Sequence, residues 1–280
     1  MHRPEDGDLD FSLQTLTQLL FPLVGGLGIF LLGMKSMSDG MQAVAGARLR
    51  TLISWVTSHR YLATGVGIFV TCVVQSSSIT TVMVVGFVNS GVMQLSQALG
   101  VIMGANIGTT ITGWILVLKV GKYGLPILGL AAFSYLFSRD QRWRYWSMSI
   151  MGVGMVFFGL ELMKDGCSVI KEMEGFESWF KSFTASNSPG ILGCALVGCF
   201  LTTIVQSSSA TLGITISLAS QGVITYETAA ALVLGENIGT TITAYLASLG
   251  ATTNARRAAY FHIIFNLVGV LWITAIFHWY

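Results

Sequence analysis

Two stretches decide how this chain folds: Thr71-Cys72-Val73-Val74-Gln75-Ser76-Ser77-Ser78 and Thr202-Thr203-Ile204-Val205-Gln206-Ser207-Ser208-Ser209. They stand 131 residues apart. A second pair keeps the same offset: Gly104-Ala105-Asn106-Ile107-Gly108-Thr109-Thr110-Ile111-Thr112 and Gly235-Glu236-Asn237-Ile238-Gly239-Thr240-Thr241-Ile242-Thr243. Upstream, Gly26, Gly28, Gly33, Met37, Asp39 and Gly40 match Gly152, Gly154, Gly159, Met163, Asp165 and Gly166 at an offset of 126. The shift of five reads as an insertion in the second connecting loop. Self-similarity held over such distances is the mark of an internal duplication.

The surroundings of these motifs are almost free of charge. The chain has 280 residues with 15 Lys+Arg and 13 Asp+Glu, and 53% of it is apolar. A soluble domain is about a quarter charged, so a soluble enzyme is excluded. A net charge of +2 is too small for a nucleic-acid footprint. Charge-free runs cover 11–34, 61–118, 123–138, 145–160, 182–226, 237–255 and 258–280. A helix crosses the bilayer with about 20 apolar residues. Runs 11–34 and 258–280 fit single spans, and 123–138 and 145–160 each read as one span whose flanking cations snorkel. The 58 residues of 61–118 would stretch about 87 Å as a helix, far more than one crossing.

Polar clusters interrupt that long run, and irregular backbone at membrane depth is tolerated only inside protein or along a water-filled cavity. The expected fold is therefore an all-α polytopic membrane protein. Residues 1–15 form an N-terminal tail. Repeat 1 (16–138) holds a span, a re-entrant hairpin with its tip at 75–78, a span over 94–118 broken at 106–108, and a last span. Repeat 2 (139–280) holds the same parts, with the tip at 206–209 and the broken span at 226–250. Each unit crosses three times, about six spans plus two hairpins in all, and an odd count inverts the second unit.

Loops 35–60, 139–144 and 251–257 together carry nine cations, among them Lys35, Arg48, Arg50, Arg256 and Arg257, with two acids. The positive-inside rule puts them in the cytoplasm and both termini outside the cell's inner (plasma) membrane. Aromatic belts are expected at Trp143, Tyr145 and Trp146 and at Trp279 and Tyr280. The acidic N-terminus is no signal peptide. Cys72, Cys167, Cys194 and Cys199 show no metal or disulfide spacing and read as small apolar packers. The polar stretch 166–189 reads as a surface loop or helix.

Serine and threonine in membrane helices commonly bond the i−4 carbonyl or pack an interface. Duplication of both clusters, each with a Gln or Asn, points instead to a site. Ser76, Ser77 and Ser78, with Ser207, Ser208 and Ser209, sit where half-helices start, and unpaired N–H groups and the dipole there favour an anion. Thr109 and Thr110, and Thr240 and Thr241, are expected to open further half-helices. Oxygens of Gln75, Ser78, Asn106, Thr109, Thr110, Gln206, Ser209, Asn237, Thr240 and Thr241, with unwound carbonyls, suit a hard cation such as Na⁺. Thr71 and Thr202 flank these sets. These segments hold no Lys or Arg, so a bound anion calls for a co-bound cation. Glu236, opposite Ala105 in the other repeat, is a candidate cation or proton ligand or an acid near a helix start.

At these motifs the chain resembles the type II sodium–phosphate cotransporter family. The resemblance runs from about residue 20 to about 270 and includes Ala255-Arg256-Arg257-Ala258-Ala259 and His262-Ile263-Ile264-Phe265-Asn266. It implies uptake of inorganic phosphate driven by Na⁺ through alternating access, with phosphate and Na⁺ at the Gln-Ser-Ser-Ser hairpins. It also implies a homodimer and no cofactor beyond the coupling ion. Bacterial members often carry a soluble regulatory domain after the last span; with the sequence ending at Tyr280, such regulation is expected to be absent or supplied elsewhere. Other readings are a symporter for sulfate or a carboxylate, or an anion channel. A serine hydrolase would need a base beside its serine, and His2, His59 and His278 lie outside the polar repeats.

His262 and Asn266 share a helix face and read as an interhelical hydrogen bond. Asp39 and its match Asp165 read as helix-end residues. The glycine stripes 25–33 and 152–159 read as packing surfaces for helices or a dimer.

Overall fold

A computed structural model describes residues 5–54, 59–118, 121–170, 184–185 and 187–277. Of the expected surface stretch 166–189, residues 171–183 and 186 fall outside them, as do Trp279 and Tyr280. Among the described residues every regular element is helical: α1 (Glu5–Ser54), α2 (Arg60–Val74), α3 (Ser77–Asn89), α4 (Leu95–Val117), α5 (Gly124–Phe137), α6 (Gln141–Ile170), α7 (Ser188–Val205), α8 (Ser208–Ser220), α9 (Tyr226–Gly239), α10 (Thr241–Ala247) and α11 (Thr253–Ile276). The all-α expectation is borne out. Among the described residues five stretches are long and apolar enough to cross a membrane: Thr17–Gly46, Leu95–Val117, Gln141–Ser168, Ser188–Val205 and Thr253–Ile276. Large apolar side chains point outward from several helices, with Leu130 75% and Leu196 70% exposed. In water such a surface would be an aggregation hazard, and against lipid it is the expected one.

Three sequence expectations need correction. Residues 35–54 continue α1 as helix and are no loop, and α1 already begins at Glu5, inside the expected tail. The span over 94–118 is not broken: α4 runs through Asn106, Ile107 and Gly108 without interruption. In the second repeat Thr240 separates α9 from α10, yet it keeps helical angles (φ −61°, ψ −26°) and its N–H donates to Glu236 O over 3.0 Å. A single Asn-x-Gly is too weak to break a helix whose neighbours pack against it. Finally α5, read as a full span, has 14 residues, or about 21 Å of helix against a core of about 30 Å.

Glycines set the main contacts. A Cβ added at Gly26 would stand 2.8 Å from Gly159 O, and one at Gly33 would stand 2.8 Å from Gly152 O. So α1 and α6 run antiparallel with their backbones touching, and the two glycine stripes pack on each other. Inside each unit, Gly67 and Gly104 press α2 onto α4, while Gly198 and Gly235 press α7 onto α9. Close backbone approach through small residues is how membrane helices gain packing where lipid removes the hydrophobic drive. Gly91 (φ 74°) and Gly222 (φ 64°), one repeat offset apart, supply the left-handed turns after α3 and α8.

Candidate functional site

Each Gln-Ser-Ser-Ser forms a tight junction between two helices. Gln75 closes α2 in the left-handed region at φ 57°, ψ 26°, and Gln206 closes α7 at φ 55°, ψ 24°. Their N–H groups donate to Thr71 O and Thr202 O, both over 2.7 Å. Glycine normally fills this position, so a glutamine there twice means the side chain is kept despite the backbone strain. The next residue is extended and caps the following helix: Ser76 Oγ accepts from Ile79 N, and Ser207 Oγ accepts from Ala210 N, each over 3.3 Å. Thr71 donates to Thr80 over 3.0 Å and Thr202 to Thr211 over 3.1 Å, buried beneath each tip. Thr71 and Thr202 therefore brace the junctions from outside the cavity.

The two tips meet. A cavity of about 280 Å³ is lined by Gln75, Ser76, Ser77, Ser78 and Ile79 from one and Gln206, Ser207, Ser208 and Ser209 from the other. Thr109 joins them from α4, and Leu31, Met34, Lys35, Ser38 and Asp39 from α1. All eight residues expected to hold substrate thus share one space. Ile79 and Ala210 N–H groups are used by the caps, so Ser77, Ser78, Ser208 and Ser209 carry the open first-turn donors. The site can accept an anion between two helix N-termini.

The expected Na⁺ ligands divide. Gln75, Ser78, Thr109, Gln206 and Ser209 line the cavity; Asn106, Thr110, Asn237, Thr240 and Thr241 do not. Asn106 spends its carboxamide on α11: Oδ1 lies 3.1 Å from His262 Nε2, and Nδ2 donates to Asn266 Oδ1 over 3.3 Å. The interhelical reading of His262 and Asn266 is thereby borne out. Asn237 is exposed and donates to Val233 O over 3.3 Å. Threonine hydroxyls bond their own helix, Thr109 to Ala105 O, Thr240 to Glu236 O and Thr241 to Ile238 O. With α4 intact, Thr109 and Thr110 open no half-helix. Glu236 is buried away from the cavity, and its Oε1 accepts from Thr215 over 3.0 Å. The tips also differ. Gln75 is buried, with Oε1 accepting from Thr112 over 3.0 Å and Nε2 donating to Cys72 O, whereas Gln206 is exposed at the cavity.

Sequence reasoning missed Lys35, Ser38 and Asp39, which it placed in a loop or at a helix end. Their i, i+3, i+4 spacing, continuing the helix of the first span, was the available signal. Ser38 donates to Val74 O over 2.7 Å, tying α1 to the end of α2 beside Gln75, and Gln42 donates to Ser38 over 2.9 Å.

A family profile described as Na⁺/Pi-cotransporter matches residues 29–165 and 171–278. The chain is 31% identical over 259 residues to the putative inorganic phosphate export protein YjbB of Escherichia coli (strain K12), covering 92% of this chain and 47% of that one. It is 30% identical to the protein YqeW of Bacillus subtilis (strain 168), covering 86% and 77%. It is 38% identical over 101 residues to the human sodium-dependent phosphate transport protein 2B, covering 35% and 15%. The chain spans about half the length of the YjbB relatives it matches. No solved structure matches it. With five apolar helices among its described residues and a family profile matched over most of its length, this multi-pass membrane protein belongs to the Na⁺/Pi-cotransporter family.

Proposed function

We propose that the chain carries inorganic phosphate across the cell's inner membrane in symport with Na⁺, by alternating access of the cavity between the two tips. The observation that carries this reading is that both Gln-Ser-Ser-Ser junctions line one space. Phosphate sits against the serine hydroxyls and the first-turn N–H groups of α3 and α8. Na⁺ sits among the oxygens of Gln75, Ser78, Thr109, Gln206 and Ser209. The two units are inverted repeats and the helix pairs re-enter from opposite faces. The crossed contacts of Gly26 with Gly159 and Gly33 with Gly152 support this, because a two-fold axis between α1 and α6 produces such a pairing. Both termini face outward, and the protein works as a homodimer without enzymatic activity.

Reconstituted protein is expected to accumulate labelled phosphate only under an inward Na⁺ gradient. Equal accumulation with K⁺ overturns the coupling. Stronger competition by sulfate or a carboxylate than by unlabelled phosphate overturns the substrate, and flux that follows the anion gradient alone makes the protein a channel. A second reading, export, is favoured by the name of the YjbB relatives. Release of preloaded phosphate against its gradient, with no matching uptake, decides for it.

A further inference from the structure

We propose that Lys35 contacts the transported anion and sets its affinity; this rests on the cavity being the phosphate site. Lys35 is the one cation among the described residues that line the cavity. It is exposed there and makes no ion pair with any described residue. Its place on α1 makes Lys35 part of the lining of the same cavity as Ser77, Ser78, Ser208 and Ser209, which start α3 and α8.

Charge arithmetic shows why a cation is needed. Each helix N-terminus carries about half a positive charge, so the two tips together supply about one. A divalent phosphate leaves about one negative charge in a partly desolvated site. The Lys35 ammonium supplies that charge as part of the chain. Asp39, one turn further along α1, lines the same cavity; its negative charge is offset by the co-transported Na⁺, so the charge of Lys35 is left for the anion. The duplication does not repeat this device. The positions matching Lys35 and Asp39 in the second unit are Glu161 and Asp165, and neither lines the cavity. One half alone therefore brings the fixed positive charge to a site built from both.

The experiment is Na⁺-driven uptake of labelled phosphate by the full chain in liposomes, for wild type, Lys35→Gln, Lys35→Arg and Arg48→Gln. Arg48 is an exposed cation of α1 outside the cavity lining. Lys35→Gln should raise the phosphate KM about tenfold, equivalent to about 1.4 kcal/mol, with little change in the maximal rate. Lys35→Arg should restore most of the affinity, and Arg48→Gln should match wild type. A Lys35→Gln KM equal to wild type, or a fall in maximal rate alone, overturns the inference. So does an equal KM rise in Arg48→Gln, because the effect would then be general surface charge. A wild type that accumulates no phosphate overturns the functional reading and the inference together, so the wild-type arm separates the two failures.

Discussion

The Thr112 hydroxyl donates to the Gln75 side-chain carbonyl over 3.0 Å, joining the first tip to α4 in a buried position. Among the described residues the second tip has no such tie. Thr243, one repeat offset from Thr112, donates instead to Thr240 O over 2.9 Å, and Gln206 stays exposed. Two junctions of the same sequence and backbone shape thus differ in how their glutamines are held.

That difference predicts different costs of substitution. Thr112→Val leaves the Gln75 oxygen buried without its donor and should destabilise the protein by about 1–3 kcal/mol. Gln206→Ala should leave the melting temperature nearly unchanged and still reduce phosphate uptake sharply. Thermal unfolding in detergent, set beside uptake, tests both. A Gln206→Ala protein that transports normally removes Gln206 from the site.

The left-handed backbone at Gln75 and Gln206 gives a second expectation. Gln206→Gly removes the side chain and relieves the strain, so its stability should equal or exceed that of Gln206→Ala. Gln206→Val places a β-branched residue at positive φ and should cost about 1–3 kcal/mol. Equal stability of the glycine and valine variants would mean that the junction does not hold this conformation.

Gly33 and Gly25 separate packing from propensity. A Cβ at Gly33 meets the backbone of Gly152 and Val156, while one at Gly25 meets nothing within 4 Å. Gly33→Val should therefore destabilise by about 1–3 kcal/mol or more, and Gly25→Val should be close to neutral. Comparable losses in both would rule out the α1–α6 backbone contact as the cause.

Asn106 links the first unit to α11 through His262 and Asn266. A double-mutant cycle of Asn106→Ala with His262→Ala should show a coupling of about 0.6 to 1.7 kcal/mol, the range known for hydrogen bonds between membrane helices. The Na⁺ dependence of transport should survive in Asn106→Ala, because its carboxamide is already occupied away from the cavity. A large rise in the Na⁺ requirement would restore Asn106 as an ion ligand.

Much of this protein was legible along the chain. The scarcity of charge announced helices in lipid, and the duplicated motifs marked both tips. Capping depends on atoms within about four residues, so Ser76–Ser78 and Ser207–Ser209 could be placed at helix starts from sequence alone. Three features could not. The continuity of α4 through Asn106 was decided by α2 packed against Gly104 and Gly108, which overrides a weak local break signal. The loss of Asn106 to His262 joins residues 156 positions apart, and no local pattern encodes that choice over a Na⁺ ion. The arrival of Lys35 and Asp39 beside both tips required α1 to continue past its apolar stretch and lie against α2, as Ser38 on Val74 O records. Short-range stereochemistry builds each half of the site. Which halves meet, and which charges they meet with, is set by packing between segments far apart in the chain.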